Sequence, residues 1–261
     1  MTRRNLIIGG SNGVGKEIYN SLSEKEETII IDKIDPDFRT NNNFFKVDIT
    51  NHDELKKLSI NLNKKNCRFD VIFICYGAHH TKPIHNISNE EFKNIFEINF
   101  FSTINLVKVL QELINKDSKI FYISSIAACT PIPYSSTYSS SKAALEAYVF
   151  SKINEYDDKK TKHIIIQPGN INTGFNETGN NYRELNNVDY KYYSKIIEKI
   201  NSKFGMDPKI VAKKIIKISY LKNPKSKYII GKNAFLANMA KRVIGDHYSN
   251  ILIKKFFKIE N

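Results

Sequence analysis

The sequence predicts a doubly wound α/β fold, in which helices cover both faces of a parallel sheet. Short β-branched runs alternate along the chain with longer segments whose apolar residues recur every three or four positions. The short runs are almost continuously apolar, as expected for strands that are buried on both faces. With 261 residues, 41% of them hydrophobic and 26% charged, the chain suits one globular domain, and a disordered or fibrous class is excluded.

Six runs predict the strands, and three segments predict helices between them. The predicted strands cover residues 6–9, 28–32, 44–48, 71–76, 119–124 and 163–167, and the predicted helices cover 52–64, 88–113 and 138–154. The second helix begins with a Ser-Asn-Glu-Glu capping box at Ser88. Right-handed crossovers then build the sheet. Residues 170–187 are polar and lack a clear period, which predicts a mobile loop.

The net charge of +13 is concentrated near the C-terminus, where residues 203–261 contain 14 Lys or Arg and three Asp or Glu. Such an excess can indicate a nucleic acid or an anionic membrane as partner. Lys, Asn and Ile are abundant throughout the chain, however, which favours a compositional bias. We therefore expect a solvated basic surface and no nucleic-acid partner.

Cysteine usage and hydropathy indicate the compartment. Cys67, Cys75 and Cys129 form no CxxC pair, which predicts neither disulfides nor a metal site and fits a reducing compartment. No stretch approaches the ~18 consecutive apolar residues of a membrane span, and the N-terminus has no cleavable apolar region. We expect a cytoplasmic protein without stable membrane insertion.

A glycine-rich loop follows the first strand and precedes a helix. Its glycines are Gly9, Gly13 and Gly15, with Ser11, Asn12 and Val14 between them. Glycine permits a tight turn and close approach of a pyrophosphate, whose charge is attracted by the free N–H groups of the helix start. This pattern predicts a dinucleotide site, although a plain glycine turn produces the same spacing.

Acidic residues end two of the predicted strands. Asp32 is positioned to accept hydrogen bonds from both adenine-ribose hydroxyls and would repel a 2′-phosphate, which favours NAD over NADP, although Lys33 partly offsets the repulsion. Asp48, with the adjacent Ile49, is placed to contact the adenine ring. The alternatives are a turn residue at Asp32 and an N-cap or loop residue at Asp48.

Tyr138 and Lys142 are four residues apart, hence on one face of a predicted helix, and Ser125 ends the preceding strand-like run. A tyrosine has a pKa near about 10, so acid or base chemistry at neutral pH requires a cation beside its phenolate. Lys142 can supply that charge, while Ser125 holds a substrate oxygen. A surface Tyr-Lys pair is the alternative.

Taken together, these residues resemble the classical short-chain dehydrogenase/reductase family. The family's motifs occur here in its order and spacing over residues 5–175. They are the glycine pattern, Asp32, Asp48, Asn99, Ser125, Tyr138, Lys142 and the segment from Pro168 to Thr173. Residues 208–220 and 227–231 are more loosely similar to the family's last helix and edge strand. The resemblance implies one NAD(P)-binding Rossmann domain over residues 1–261 with a seven-stranded, mostly parallel sheet. Residues 170–261 would contribute a substrate loop and C-terminal helices, and the protein would be a homodimer or homotetramer.

The resemblance also implies residue roles. Tyr138 would donate or accept the proton, Lys142 would lower its pKa and bind the nicotinamide ribose, and Ser125 would orient the substrate oxygen. Asn99 would hold a water of the proton relay. Further cofactor contacts would come from Gly77, Pro168, Gly169, Ile171 and Thr173. Each has a structural alternative: Asn99 satisfying backbone groups, Thr173 serving as a turn residue, and Lys142 being solvated.

Two departures from the family pattern stand out. Residues 74–77 read Ile-Cys-Tyr-Gly where Asn-Asn-Ala-Gly is usual, and Ile8 replaces a usual threonine. Neither change touches the hydride-transfer groups, so we expect effects on stability and cofactor geometry more than on activity. Cys75 is expected to be a buried small hydrophobe rather than a redox thiol.

The predicted function is that of an oxidoreductase transferring a hydride between a nicotinamide cofactor, preferably NAD, and a small alcohol or carbonyl substrate by a Ser-Tyr-Lys mechanism. The alternative is a weakly active or inactive NAD-binding regulatory or interaction protein. Ser125, Tyr138 and Lys142 favour the enzyme, because binding alone does not require them. The substrate stays open; the resemblance places its pocket wall at His79, Ala127, Tyr134, Phe175, Tyr182, Tyr192 and Tyr193.

The C-terminal segment predicts two short amphipathic helices separated at Gly245, with apolar residues at three- and four-residue spacing in 235–244 and 251–257. Neighbouring lysines would suit an anionic membrane surface. We favour packing of the apolar faces over the substrate entrance or a neighbouring subunit, with the lysines solvated. On that interpretation, deletion of residues 235–261 impairs solubility, assembly or substrate affinity, and the protein does not sediment with anionic vesicles at physiological salt.

Overall fold

The computed structural model describes residues 2–40, 43–155, 159–173, 194 and 205–257. Seven strands form one sheet: β1 Arg4–Ile8, β2 Glu27–Asp32, β3 Phe44–Lys46, β4 Phe69–Ile74, β5 Ile114–Ile123, β6 Lys162–Pro168 and β7 Lys227–Ile230. Their order is β3-β2-β1-β4-β5-β6-β7, and every neighbouring pair is parallel. The doubly wound α/β prediction and the seven strands are confirmed.

Helices pack on both faces of this sheet. They are α1 Gly13–Ser21, α2 His52–Lys64, α3 Asn89–Phe96, α4 Ser102–Leu110, α5 Ser136–Asn154, α6 Pro208–Ser219 and α7 Lys232–Phe257. Because strand side chains alternate between faces, Leu6 and Ile8 join the core beneath α2, α4 and α5, whereas Ile7 joins the core beneath α1 and α6. Both cores consist mainly of fully buried Ile, Leu, Val and Phe side chains.

Of two helical predictions, one differs from the structure and the other is confirmed. The predicted helix over 88–113 is divided by a π-helical turn at Glu97–Phe101, between α3 and α4. Such wider turns occur often at functional sites, and this one contains Asn99. In the C-terminal segment the helix is kinked at Gly245, whose backbone is non-helical (φ 75°, ψ 177°), so the predicted separation of two helices at Gly245 is confirmed.

The chain reverses its direction of sheet growth between β1 and β4, which are neighbours at the centre of the sheet. Ligands of such folds bind outside the carboxyl ends of the strands at this switch point. The glycine loop, Asp32 and the chain after β4 all lie at that edge. Within the described ranges, the helices are too short or too polar to cross a lipid bilayer.

Candidate functional site

The carboxyl edge of the sheet opens into a cavity of about 1330 Å³. Fifteen of the predicted site residues line it: Gly9, Asn12, Gly13, Val14, Asp32, Asp48, Ile49, Gly77, Ser125, Tyr138, Lys142, Pro168, Gly169, Ile171 and Thr173. Three other predicted site residues, Ser11, Gly15 and Asn99, are not part of the lining and lie behind it. The structure thus brings residues from the whole span of 9–173 to one cavity.

The glycine loop is packed too closely for side chains. At Gly9 (φ +78°) a Cβ would lie 2.7 Å from the backbone nitrogen of Tyr76, and at Gly15 it would lie 2.1 Å from the carbonyl oxygen of Gly9. The cap residue Asn12 makes no side-chain capping bond, and the first turn of α1 contains no acidic residue. The positive end of α1 therefore faces the cavity without a capping side chain or an acidic residue in its first turn.

The Asp32 carboxylate is held at the end of β2 by two backbone amides. Ser11 N donates to Oδ2 at 2.9 Å, and Ile34 N donates to Oδ1 at 3.2 Å. The Ser11 hydroxyl closes the turn by donating to the Ile34 carbonyl at 2.6 Å. Each carboxylate oxygen retains a further acceptor site, and Asp32 lines the cavity beside Lys33.

Asp48 lies two residues beyond the end of β3. Burial alone would raise the pKa of its carboxyl, but hydrogen bonds from the Thr50 amide and hydroxyl, at 2.9 and 2.7 Å, and the charge of Lys33 outweigh burial and lower that pKa. Asp48 is therefore an ionised acceptor at the cavity wall, as its predicted adenine contact requires.

Ser125, Tyr138 and Lys142 meet in the cavity wall. α5 places Tyr138 and Lys142 one turn apart, and Ser125, which follows β5, lies close enough to the Tyr138 phenol to lower its pKa. The Lys142 ammonium donates to the carbonyl oxygen of Ile123 at 2.9 Å and lies 5.9 Å from the centroid of the Tyr138 ring. A serine hydroxyl, a phenol and an ammonium are thus available to one bound substrate.

Burial controls the protonation of this group. It raises the pKa of Tyr138 to about 12, against the lowering effect of the Ser125 hydrogen bond. It lowers the pKa of Lys142 to about 8, although the nearby Cys75 and Glu146 side chains oppose that shift. The net shift at Tyr138 is opposite to the lowering expected from Lys142, because desolvation of the phenolate is the larger effect. At neutral pH, Tyr138 is a neutral phenol and can donate a proton.

His79 covers one side of the phenol. Its ring meets that of Tyr138 edge-on, with centroids 4.9 Å apart, and Nε2 is 3.0 Å from the Ser135 hydroxyl. Burial, together with the neighbouring His80, lowers the pKa of His79 to about 4, so the imidazole is neutral. His79 lines the cavity as predicted. Two other predicted wall residues, Ala127 and Tyr134, are not in the lining. The remaining ones lie outside the described residues, as does most of the predicted loop 170–187; they are Phe175, Tyr182, Tyr192 and Tyr193.

Asn99 connects two parts of the site from behind. Its Oδ1 accepts from Ala78 N at 2.7 Å, and its Nδ2 donates to the Ala78 carbonyl and to the Ser141 hydroxyl, both at 2.9 Å. Ser141 in turn donates to the carbonyl oxygen of Tyr138 at 2.8 Å. Asn99 therefore satisfies backbone groups, the alternative stated above, and its place in a proton relay stays a prediction.

The unusual segment after β4 has its own stabilising contacts. The Tyr76 hydroxyl is 2.7 Å from the Thr103 hydroxyl and 3.2 Å from that of Ser102, which joins the segment to α4 in place of asparagine contacts. Cys75 lines the cavity, and burial raises the pKa of its thiol well above the usual range. At neutral pH the Cys75 thiol is therefore protonated, which agrees with its expected role as a small apolar side chain.

Sequence analysis missed a buried acid on α5. Glu146 Oε1 accepts from the Ser124 hydroxyl at 2.6 Å and from Gln167 Nε2 at 2.9 Å, while Oε2 pairs with Lys227 at 2.7 Å. It follows Lys142 by four residues, and that helical spacing is the signal that could have revealed it. Its negative charge favours the ammonium form of Lys142.

The residues present fit a dinucleotide. The cavity joins the uncapped start of α1, the Asp32 carboxylate and the Tyr138-Lys142 pair, and Thr173 closes on the glycine loop, 3.5 Å from where a Gly13 Cβ would stand. An uncapped helix start suits a pyrophosphate, and a carboxylate suits ribose hydroxyls. Within the described ranges, no three His, Cys, Asp or Glu side chains are grouped so that they could hold a metal ion.

Comparisons with known proteins agree on one family. The family model described as short chain dehydrogenase matches residues 4–184. The chain is 30% identical to 3-ketodihydrosphingosine reductase of Bacteroides thetaiotaomicron, over 87% of each protein, and 29% identical to a 3-oxoacyl-(acyl-carrier-protein) reductase of Buchnera aphidicola, over 87% of this chain and 92% of that protein. The crystal structure of a short-chain dehydrogenase from Streptomyces avermitilis covers 94% of both chains with a TM-score of 0.78 at 20% identity.

Proposed function

The chain belongs to the short-chain dehydrogenase family, and on that premise we propose that it reduces a small-molecule ketone or aldehyde to an alcohol with a nicotinamide cofactor. The observation that carries this proposal is that Ser125, the neutral Tyr138 phenol and Lys142 line the same cavity, with Lys142 one helical turn from Tyr138. Pure nucleotide binding would not need these three groups together.

Each group has a defined task in this reduction. The nicotinamide supplies the hydride to the carbonyl carbon when it is bound. Ser125 donates a hydrogen bond to the carbonyl oxygen and orients it, and Tyr138 transfers its phenolic proton to that oxygen as negative charge develops there. The Lys142 ammonium stabilises the phenolate that remains. His79 shields the phenol from water on one side.

The same cavity suggests how the cofactor is held. The start of α1 and the glycine loop would bind the pyrophosphate, and Asp32 would accept hydrogen bonds from the adenine ribose. The Asp32 charge supports the preference for NAD over NADP. Ile171 and Thr173 would contact the nicotinamide carboxamide, and Gly169 would lie beside them at the cofactor.

Two features support the direction and the assembly. Both relatives named above are reductases of a keto or oxo group, which favours reduction. Phe101, beside α4, and Phe150, on α5, leave 48% and 38% of their surfaces exposed, which favours pairing of these helices in a cytoplasmic homodimer or homotetramer. Light scattering would test that assembly.

Replacement of Tyr138 by Phe tests the proposal. We expect the variant to lose about 10²–10⁴-fold in turnover, the usual contribution of a positioned acid or base, while its affinity for the nucleotide is unchanged. Tyr148→Phe, on the same helix but outside the cavity lining, is the matched control and should keep wild-type turnover. Carbonyl substrates would be screened among sugars, sterols, acyl and aromatic ketones with NADH and NADPH.

A Tyr138→Phe variant with near-wild-type turnover on the authentic substrate would contradict the assignment. Nucleotide binding by the wild-type protein without turnover on any compound of the screen would favour the alternative of a non-catalytic NAD-binding protein.

A further inference from the structure

We propose that the carbonyl substrate carries an extended, uncharged apolar tail, which lies along α7 in the same cavity as Ser125 and Tyr138. This inference deepens the reductase function proposed above and rests on it. It follows from how α7 distributes its apolar and charged side chains around the cavity.

The second half of α7 presents one helical face to the cavity. Ser249, Leu252, Ile253 and Phe256 line it at positions i, i+3, i+4 and i+7, the spacing of a single stripe. That stripe runs for about 10 Å along the helix, at 1.5 Å per residue. The stripe forms a wall that is long enough to contact an extended chain.

The first half of α7 leaves room beside this wall. Three of its five lining residues, Ala234, Ala237 and Ala240, are alanines at three-residue spacing, and the other two are Asn233 and Leu236. On the chain between β5 and α5, Ile126 and Ile132 add apolar surface to the same lining. The cavity is therefore continuous from the catalytic side chains to the apolar wall.

Charge is segregated from this part of the cavity. The charged residues of α7 are Lys232, Lys241, Arg242, Asp246, Lys254 and Lys255, and within the described part of the chain none of them belongs to the lining. The charged side chains in the lining are those of Asp32, Lys33, Asp48, Glu97 and Lys142, and none of them lies on α7. Because burial of an unpaired charge is costly, this wall suits a tail without charge.

The wall also presents apolar surface that a ligand can cover. Leu252 and Phe256 line the cavity and still leave 52% and 57% of their surfaces exposed. Clustered exposed apolar surface beside a cavity is typical of a binding site. An apolar tail would bury these side chains and provide the binding energy.

A series of methyl ketones from butanone to undecanone tests the inference, with kcat/KM measured at saturating cofactor. We expect kcat/KM to rise about 2–4-fold with each added methylene, because burial of one methylene provides roughly fourfold at most. Ketones of matched length that end in a hydroxyl group should not show this rise.

Variants assign the effect to α7. Leu252→Ala and Phe256→Ala should flatten the chain-length dependence while turnover of butanone is retained. Val243→Ala is the matched control, since Val243 lies on the same helix, is 78% exposed and is not part of the cavity lining. It should leave the whole series unchanged.

The outcomes separate this inference from the function beneath it. Equal kcat/KM values for short and long ketones would overturn the inference of an apolar tail and leave the reductase function intact. Failure to reduce any ketone of this series or of the broader screen would contradict the reductase function itself. A chain-length dependence that survives both variants would place the tail elsewhere. If the variants change the oligomeric state in size-exclusion chromatography without changing the series, the face is a subunit contact and the inference is wrong.

Discussion

Replacement of Lys142 by Met should make the protein more stable at neutral pH and inactive. The side chain is 3% exposed, and burial lowers the pKa of Lys142 from 10.5 to about 8. A shift of this size corresponds to about 3 kcal/mol by which burial disfavours the ammonium. The variant also loses the hydrogen bond from Nζ to the Ile123 carbonyl, which destabilises it by about 1 kcal/mol. The net stabilisation expected for Lys142→Met is about 2 kcal/mol, or roughly 4–8 °C in melting temperature for a chain of this size.

The pH dependence of this difference identifies its cause. Below pH 8 the folded and unfolded states both carry the ammonium, so the wild-type protein bears the full cost of burying it. Between pH 8 and 10.5 only the unfolded state binds the proton, so wild-type stability rises with pH relative to the variant. The advantage of Lys142→Met should therefore shrink as pH rises through this window and reverse above it, where the variant lacks only the hydrogen bond to Ile123.

Urea unfolding of both proteins at pH 7 and at several alkaline values, without added nucleotide, measures the difference directly. Lys152→Met, on the same helix, is the control: this lysine is partly exposed and pairs with Glu155 at 3.4 Å, so its removal should give no stabilisation. The reasoning is refuted if Lys142→Met is less stable than wild type at pH 7, or if its advantage does not change with pH.

Three further variants address other parts of the site. Asp32→Ala removes the carboxylate that we propose binds the adenine ribose, so calorimetry should show NADH binding weakened about 10-fold and NADPH relatively favoured. Tighter binding of NADPH than NADH by wild type would contradict the assignment. Glu146→Gln removes the charge that favours the Lys142 ammonium, so the alkaline decline of the reductase rate should begin at lower pH; an unchanged pH profile would exclude this coupling. Gly15→Ala forces a Cβ against the Gly9 carbonyl, so it should lower the free energy of unfolding by about 1–3 kcal/mol and weaken nucleotide binding. Near-wild-type results in calorimetry and urea unfolding would contradict this expectation and show that the loop adapts.

Local spacing predicts the doubly wound scaffold, and together with the family resemblance it identifies fifteen site residues that line the cavity. Apolar runs separated by helical periods predict a parallel sheet because each strand must bury both of its faces. The chemistry of the site is also local in part: Tyr138 and Lys142 are one helical turn apart, and the glycine loop joins β1 to α1. Once the strands are parallel, their carboxyl ends lie at one edge, so the residues that follow them must converge.

Desolvation and long-range contacts are properties of the packed chain, so only the tertiary structure decided how these residues behave. Burial raises the pKa of Tyr138, although the adjacent Lys142 alone predicts the opposite direction. Asn99 lies behind the cavity because a π-helical turn directs its amide to Ala78 and Ser141, contacts 21 and 42 residues away in sequence. The apolar wall likewise depends on the docking of α7, more than 100 residues after Ser125, and no local pattern encodes which helical face meets the cavity.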